Sequence, residues 1–262
     1  LKFRADLGLL QVNKNQIGLA PQTINHILCT LSMILKEASV RYLFRDPFIG
    51  IKSLKIPRKD IYPFKLEEVR RIIETVREDF RAYYTVRFFT GMRPGEIHGL
   101  KWKYVDFNRR EILIRETIVS GRQEYTKTDA SQREIFMSDP VLEALKLQQS
   151  STQHRSEYVF CNSANGPLDN KSVAQKVWYP ILRYLGLNKR VPYQSRHTAA
   201  TLWLASGENP EWIARQMGHA NTEMLFKVYS RFVPNLTRQD GSAFDRFLNG
   251  AINVDQQERR HD

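Results

Sequence analysis

Glu111-Ile112-Leu113-Ile114-Arg115-Glu116-Thr117-Ile118-Val119 is where the periodicity of this chain changes from helical to two. The stretch reads as one β-strand, and Gln123 to Thr126 and Arg133 to Met137 read as its partners in a small antiparallel sheet. On either side the pattern is helical. Before it come Lys65 to Glu78, Asp79 to about Thr90 with Gly91 as the stop, and a short helix from Pro94 to Lys101. After Ser138 the helical pattern returns, interrupted by the apolar Tyr158-Val159-Phe160. Helices are then expected at Asn170 to Leu187, Tyr193 to Ser206, Pro210 to Met217 and Thr222 to Tyr229. The fold class is therefore mostly α with a small antiparallel β-sheet, α+β.

Toward the N-terminus, residues 1 to 20 show no clean periodicity. From Pro21 to about Phe44, Ile24, Ile27, Leu28, Leu31, Ile34, Leu35 and Ala38 recur at helical steps, with Pro21 suited to the first turn. Asp46-Pro47-Phe48-Ile49-Gly50 ends that helix. A basic connector follows, carrying Lys52, Lys55, Arg58, Lys59 and Lys65, kept extended by Pro57 and Pro63. The division expected is a small helical domain with its linker over 1–58 and a larger domain over 59–262.

The 262 residues carry 40 Lys and Arg against 28 Asp and Glu, a net charge of +12. Neutralising phosphates releases condensed counterions, so such a balance suits nucleic acid. No apolar run is long enough to span a bilayer, and the start has no signal-peptide pattern. Cys29 and Cys161 lack metal-type spacing and suggest a reducing compartment without a disulfide framework. The histidines form no HExxH pattern, and no metal site is expected.

Cutting DNA without a metal requires fixed cations on the scissile phosphate, a nucleophile, and an acid for the departing oxygen. The chain holds such groups at separated positions. Arg93 lies in Thr90-Gly91-Met92-Arg93-Pro94-Gly95-Glu96-Ile97, ahead of Gly99-Leu100-Lys101-Trp102. Lys127 lies in Thr126-Lys127-Thr128, on a turn between strands. Arg196 opens Arg196-His197-Thr198-Ala199-Ala200, His219 closes Met217-Gly218-His219, and Tyr229 follows ten positions on. Each has an ordinary explanation alone. Arg93 and Glu96 make an i,i+3 ion pair, Lys127 is a surface hairpin lysine, His219 is a helix C-cap contact, and Tyr229 is an amphipathic tyrosine. Their joint order is what ordinary packing does not explain.

In order, spacing and local context these segments resemble the tyrosine recombinase family, which includes phage integrases. The likeness covers about residues 60 to 235, and residues 21 to 56 resemble the later part of the helical core-binding domain that precedes it. The earlier helices of that domain are missing and the chain begins at Leu1, so a truncated chain is expected. The resemblance implies that Arg93 and Arg196 grip the non-bridging oxygens and His219 donates a hydrogen bond to one of them. Tyr229 attacks to leave a 3′-phosphotyrosine, Lys127 acts as the general acid, and Glu96 orients the arginine box. Rejoining then needs neither ATP nor metal, and no cofactor is expected. Family members commonly carry a histidine three positions before the second arginine. Here that residue is Tyr193, which reads as a phosphate-positioning group or, less favoured, an alternative nucleophile. The step from His219 to Tyr229 is about one residue longer than usual.

The expected partners are double-stranded DNA, three further copies in a DNA-bound homotetramer, and accessory DNA-bending or excision factors, with no membrane. The expected setting is the bacterial cytoplasm, at the nucleoid, serving a prophage or related mobile element. The connector residues Lys52, Lys55, Arg58 and Lys59 are expected on the duplex backbone, with the two domains as a clamp. A tail helix presenting Ala243, Phe244, Phe247, Leu248 and Ala251 is expected to pack on its own domain or on a neighbour. Rival functions are a chromosome-dimer-resolving recombinase, a type IB topoisomerase and a non-catalytic DNA-binding protein that kept the fold. His197 reads as a packed, fold-supporting histidine, and Trp203 and Trp212 as core.

Overall fold

The computed structural model describes residues 2–13, 16–56, 60–119, 121–125, 132–219 and 221–229. Arg58, Lys59, Lys127 and the tail helix expected after Ser242 lie outside them. The chain divides into two compact units, Leu1–Asp60 and Ile61–Asp262.

In the first unit, the aperiodic start is not irregular. It forms helix α1 (Lys2–Leu9) and a two-stranded hairpin of β1 (Gln11–Asn13) and β2 (Gln16–Ile17). Helix α1 buries no residue, which is why no apolar stripe announces it. The long helix α2 (Pro21–Tyr42) has Pro21 in its first turn and ends at Leu43 in the left-handed region. Of its apolar stripe only Ile24 is buried; Ile27, Leu28, Leu31, Leu35 and Ala38 are half-buried and Ile34 is exposed. The connector is pinned to this helix. The Asn25 amide accepts from Leu54 N at 2.8 Å and donates to Leu54 O at 2.8 Å, leaving Lys52 and Lys55 exposed on either side.

The second unit is built around α4 (Glu78–Thr90), where Tyr83, Tyr84, Val86, Arg87, Phe88 and Thr90 are all buried. A helix buried on most of its circumference needs neighbours on several sides. It packs against α3 (Leu66–Thr75), α6 (Asp139–Thr152) and α9 (Gln194–Ser206). Trp178 fills the space between them, stacked on Tyr84 at 5.6 Å and edge-on to Phe64 at 5.5 Å. A second apolar cluster joins α9 to α10 (Pro210–Met217) and α11 (Glu223–Tyr229) through Ala200, Leu204, Ile213, Met217, Leu225 and Tyr229. Trp203 and Trp212 pack against this cluster half-buried, edge to face at 5.5 Å.

Two expectations need correction. The single strand over Glu111–Val119 is two strands in two sheets. Strand β4 (Glu111–Ile114) lies between β3 (Val105–Asp106) and β7 (Arg133–Phe136), whereas β5 (Glu116–Val119) pairs with β6 (Arg122–Tyr125) in a separate sheet. The break falls at Arg115, next to a polar anchor: buried Glu116 takes Lys101 Nζ at 3.0 Å and Tyr104 Oη at 2.7 Å. The helix over Asn170–Leu187 is also interrupted, as α7 (Asn170–Val173), a π-turn (Ala174–Trp178) and α8 (Tyr179–Tyr184). Pro180 has no N–H to donate and its ring would collide with the carbonyl four residues back, so the helix widens just before it. Among the described residues no helix is long and apolar enough to cross a membrane, and no cluster of His, Cys, Asp and Glu could hold a metal ion.

One buried ion pair fastens the small sheet to the helices. On β7, Arg133 and Ile135 face inward, and Arg133 Nη1 and Nη2 each reach a Glu96 carboxylate oxygen at 2.9 Å. Arg133 Nε donates to Gln216 O at 2.7 Å. The Gln216 amide then lines the outer edge of β7, accepting from Phe136 N at 2.9 Å and donating to Glu134 O at 3.2 Å. Burial alone would push the Glu96 carboxyl up, but the Arg133 fork and the Arg93 charge bring it down to about 2. A depressed carboxylate stabilises the fold above its unfolded value near 4.5, and that stability is lost as pH falls through about 2. Glu96→Gln should therefore cost about 3–5 kcal/mol at pH 7, because it strands a buried guanidinium. The gap from wild type should close as the pH of the denaturation experiment falls toward 2. Equal melting of the two proteins at pH 7 would remove the pair from this role.

Candidate active site

Arg93 stands at the mouth of the short helix α5 (Pro94–His98). Pro94 occupies the first helical position, and the Glu96 carboxylate accepts the Arg93 backbone N–H at 2.7 Å, as an acidic third residue does in a capped first turn. The same carboxylate takes Arg93 Nη1 at 2.8 Å, and Arg93 Nη2 reaches Gly218 O at 3.1 Å. The helix lies so close to β5 that a Cβ on Gly95 would sit 2.5 Å from Thr117 Oγ1 and 2.6 Å from Ile118 O. Only glycine fits there.

Arg196 comes from the first turn of α9 and is almost wholly buried. Its Nη1 donates to Gly91 O at 2.6 Å, its Nη2 donates to Met217 O, and Nη2 lies 3.3 Å from His219 Nε2. Helix α10 delivers those partners through its end. Gly218 is left-handed (φ 63°), its N–H bonds to Arg215 O at 2.9 Å, and His219 N–H bonds to Ala214 O at 2.9 Å. This paired 5→2 and 6→1 closure fixes where His219 leaves the helix. A Cβ on Gly218 would also meet Arg133 Nη1 at 3.1 Å.

Three guanidinium groups, Arg93, Arg133 and Arg196, are thus gathered around one carboxylate, Glu96. Burial first, and then the Arg93 charge, lowers Arg196 to about 10, still protonated at neutral pH. Burial and the Arg196 and Arg93 charges push His219 down to about 4, so its ring is neutral and can take the Arg196 N–H on Nε2. His219 Nδ1 is buried with no hydrogen-bond partner among the described residues. A cationic cluster with fixed donors is suited to an anion whose charge grows during reaction.

Tyr229, the last described residue, ends α11 with its ring buried in the second cluster. Its hydroxyl lies 2.8 Å from His197 Nδ1. Burial raises the phenol above its ordinary value, against a smaller lowering by Arg196. His197 is lowered to about 4, first by burial and then by the adjacent Arg196. Tyr193, at the start of α9, is exposed and sets its ring edge-on to His197 at 5.3 Å.

Arg93, Glu96, Arg196 and His219 therefore come together, and Tyr229 meets the same helix, α9, one residue beyond Arg196. Lys127, Arg58 and Lys59 lie outside the described residues. Lys52 and Lys55 belong to the other compact unit. Two residues at the site escape a reading by sequence. His197 reads there as packing, yet its ring also meets the Tyr229 hydroxyl; its spacing of four from Tyr193, on the same helix face, is the available signal. Arg133 reads only as part of a strand. Its inward position beside Ile135 is the clue, since a charge on the core face of a sheet demands a buried partner.

Residues 64–234 match the phage integrase family. The chain is similar to the putative defective protein IntQ of Escherichia coli strain K12, 30% identical over 246 residues that cover 83% of this chain and 62% of that protein. It is also similar to the prophage integrase IntR of the same strain, 26% identical over 247 residues, covering 85% of this chain and 60% of that protein. It thus spans about three-fifths of the length of these two relatives. Among solved structures, a Tn1549 transposon integrase in complex with circular intermediate DNA superposes with a TM-score of 0.70 at 19% identity, covering 88% of this chain and 80% of that one. A lambda integrase tetramer bound to a Holliday junction superposes at 0.58 with 14% identity, covering 78% and 60%. At such identities the structures establish the fold alone, which this chain shares with those two integrases. With the family match spanning most of its length, the chain belongs to the phage integrase family.

Proposed function

We propose that this chain is the cutting and rejoining part of a site-specific DNA recombinase that integrates or excises a prophage or related mobile element. The observation that carries the reading is the convergence of Arg93, Arg196 and His219, with the Tyr229 hydroxyl presented from the second cluster against α9, the helix that carries Arg196.

The scissile phosphate binds with its non-bridging oxygens on Arg93 and Arg196, and His219 donates from Nδ1, its otherwise unpartnered nitrogen. The Tyr229 oxygen attacks phosphorus, the bond to the 5′-oxygen breaks, and Lys127 protonates the departing oxygen. The product is a 3′-phosphotyrosine and a free 5′-hydroxyl. Fixed guanidinium groups take the place of a metal in stabilising the extra negative charge, and each such donor is worth about 10²–10³ in rate. Glu96 acts from behind, aiming Arg93 and holding Arg133. Because the phosphotyrosine keeps the energy of the broken bond, religation is the reverse reaction and draws on neither ATP nor a cofactor. Tyr193, beside His197, positions the phosphate rather than attacking it.

Recombination requires four copies on two double-stranded sites, with accessory DNA-bending or excision factors setting direction. The work takes place on the nucleoid in the bacterial cytoplasm. The likeness to an integrase solved with circular intermediate DNA and to an integrase tetramer bound to a Holliday junction supports this assembly. Residues 1–58, with their basic connector, act as the last part of a core-binding domain, Lys52, Lys55, Arg58 and Lys59 meeting the phosphate backbone. Such contacts set register and affinity but not sequence.

A nicked duplex carrying the cognate site, incubated in EDTA, should trap a denaturation-resistant protein–DNA adduct, and Tyr229→Phe should abolish it without weakening noncovalent binding. No adduct from wild type, or an adduct that survives Tyr229→Phe, removes the assignment. Lys52→Ala with Lys55→Ala should weaken binding to all duplexes alike. The slope of log affinity against log salt should fall by about 0.9 for each phosphate that is no longer neutralised; an unchanged slope would take these lysines off the backbone.

A further inference from the structure

An attacking phenol must lose its proton, and the polar groups of the candidate site differ sharply in their capacity to take it. Arg93, Arg133 and Arg196 are cations with no lone pair to offer. The Glu96 carboxylate is engaged by the Arg133 fork and Arg93. His219 already faces Arg196 Nη2 with Nε2. Tyr193 is itself a phenol and meets His197 through its ring edge. Among the described residues, the group within hydrogen-bond reach of the Tyr229 oxygen is the imidazole of His197, at 2.8 Å from Nδ1.

We infer that His197 is a catalytic residue of the recombinase, accepting the Tyr229 hydroxyl proton on Nδ1 during cleavage and returning it during religation. The inference rests on the function proposed above. With its proton on Nε2, His197 turns the Nδ1 lone pair to the phenol. As the Tyr229 O–P bond forms, the phenolic proton passes to Nδ1 and His197 becomes an imidazolium. As the P–O5′ bond breaks, its electron pair goes to O5′, which is protonated by the acid assigned to Lys127. Religation reverses both transfers, so protons and charge balance over the cycle.

Position favours this use. His197 follows Arg196 directly on α9, so one turn of helix fixes the phosphate-gripping guanidinium and the proton acceptor together. Burial and the Arg196 charge lower the imidazole to about 4, which leaves its Nδ1 lone pair free at neutral pH and makes the imidazolium costly while the site holds no anion. A phosphate seated on Arg196 brings negative charge next to the ring and favours the imidazolium at the moment it forms. Tyr193, where the resembling family commonly has a histidine, packs edge-to-face with the same ring.

The test compares adduct formation by wild type, His197→Ala and His197→Asn on the nicked duplex, with melting temperature and noncovalent binding measured alongside. Both variants should bind DNA as wild type does and form adduct at least ~100-fold more slowly, the scale of a missing general base. Asn retains a polar group near Nδ1 but cannot carry the proton, and it reports on chemistry if Ala alone disturbs folding. The second arm uses a duplex with sulfur at the 5′-bridging position, whose thiolate leaves without an acid. Lys127→Ala should regain its rate on that substrate and the His197 variants should not, because their defect is on the attacking side. A wild-type rate in His197→Asn would overturn proton acceptance. A rate in His197→Ala equal to or above wild type would overturn the assignment altogether, a faster one marking the hydrogen bond as a latch. An adduct formed by wild type in those cases leaves the recombinase reading standing; absence of any wild-type adduct takes down both.

Discussion

Glu96 is a single buried carboxylate shared by two guanidinium groups, and much of the second unit is organised through it. One oxygen takes Arg93 from the start of α5, and both take Arg133 from β7. Arg133 continues to Gln216, and Arg93 to Gly218, so the end of α10 is tied to the same charge. Without that carboxylate, three guanidinium groups would face one another with no fixed negative charge between them, two of them buried, at a cost of about 3–5 kcal/mol. With it, the cluster keeps a positive excess and stays folded. An excess of that kind is destabilising in the resting protein and useful only when an anion arrives.

That shared charge explains the division of labour among the helices. Helix α4 is buried on most sides and serves as the fixed member. Helices α5, α9 and α10 each contribute one end or first turn to the site, where backbone carbonyls and N–H groups lack helical partners and can hold side chains. Arg196 uses two carbonyls at helix ends, Gly91 O just past α4 and Met217 O at the end of α10. Placing reactive groups at helix ends keeps them rigid while leaving their functional atoms outside the helical hydrogen-bond ladder.

Much of this is legible from residue order. Arg93, Arg196 and His219 sit in short segments whose own neighbours, Pro94, Glu96 and Gly218, fix their local geometry, so the sequence around each carries its signal. The helices α3, α4, α9 and α10 are readable because each keeps an apolar pattern or a clear stop. What escapes depends on partners far away along the chain. Arg133 answers to Glu96, 37 residues earlier, and His197 to Tyr229, 32 residues later. The split of the long strand at Arg115 follows from Glu116 being pulled toward Lys101, and the π-turn before Pro180 from a missing N–H; periodicity alone registers neither. Helix α1 is invisible in the sequence because it buries nothing within its own unit.

All of the proposed chemistry comes down to one phenol, held against α9 beside a cationic phosphate site, becoming covalently joined to DNA. Mass spectrometry of the trapped adduct, after nuclease and protease digestion, reads this out at the level of the residue. The peptide carrying the residual nucleotide should contain Tyr229, with the phosphate on its oxygen. Nucleotide found on Tyr193, on a serine, or on no peptide would refute that chemistry.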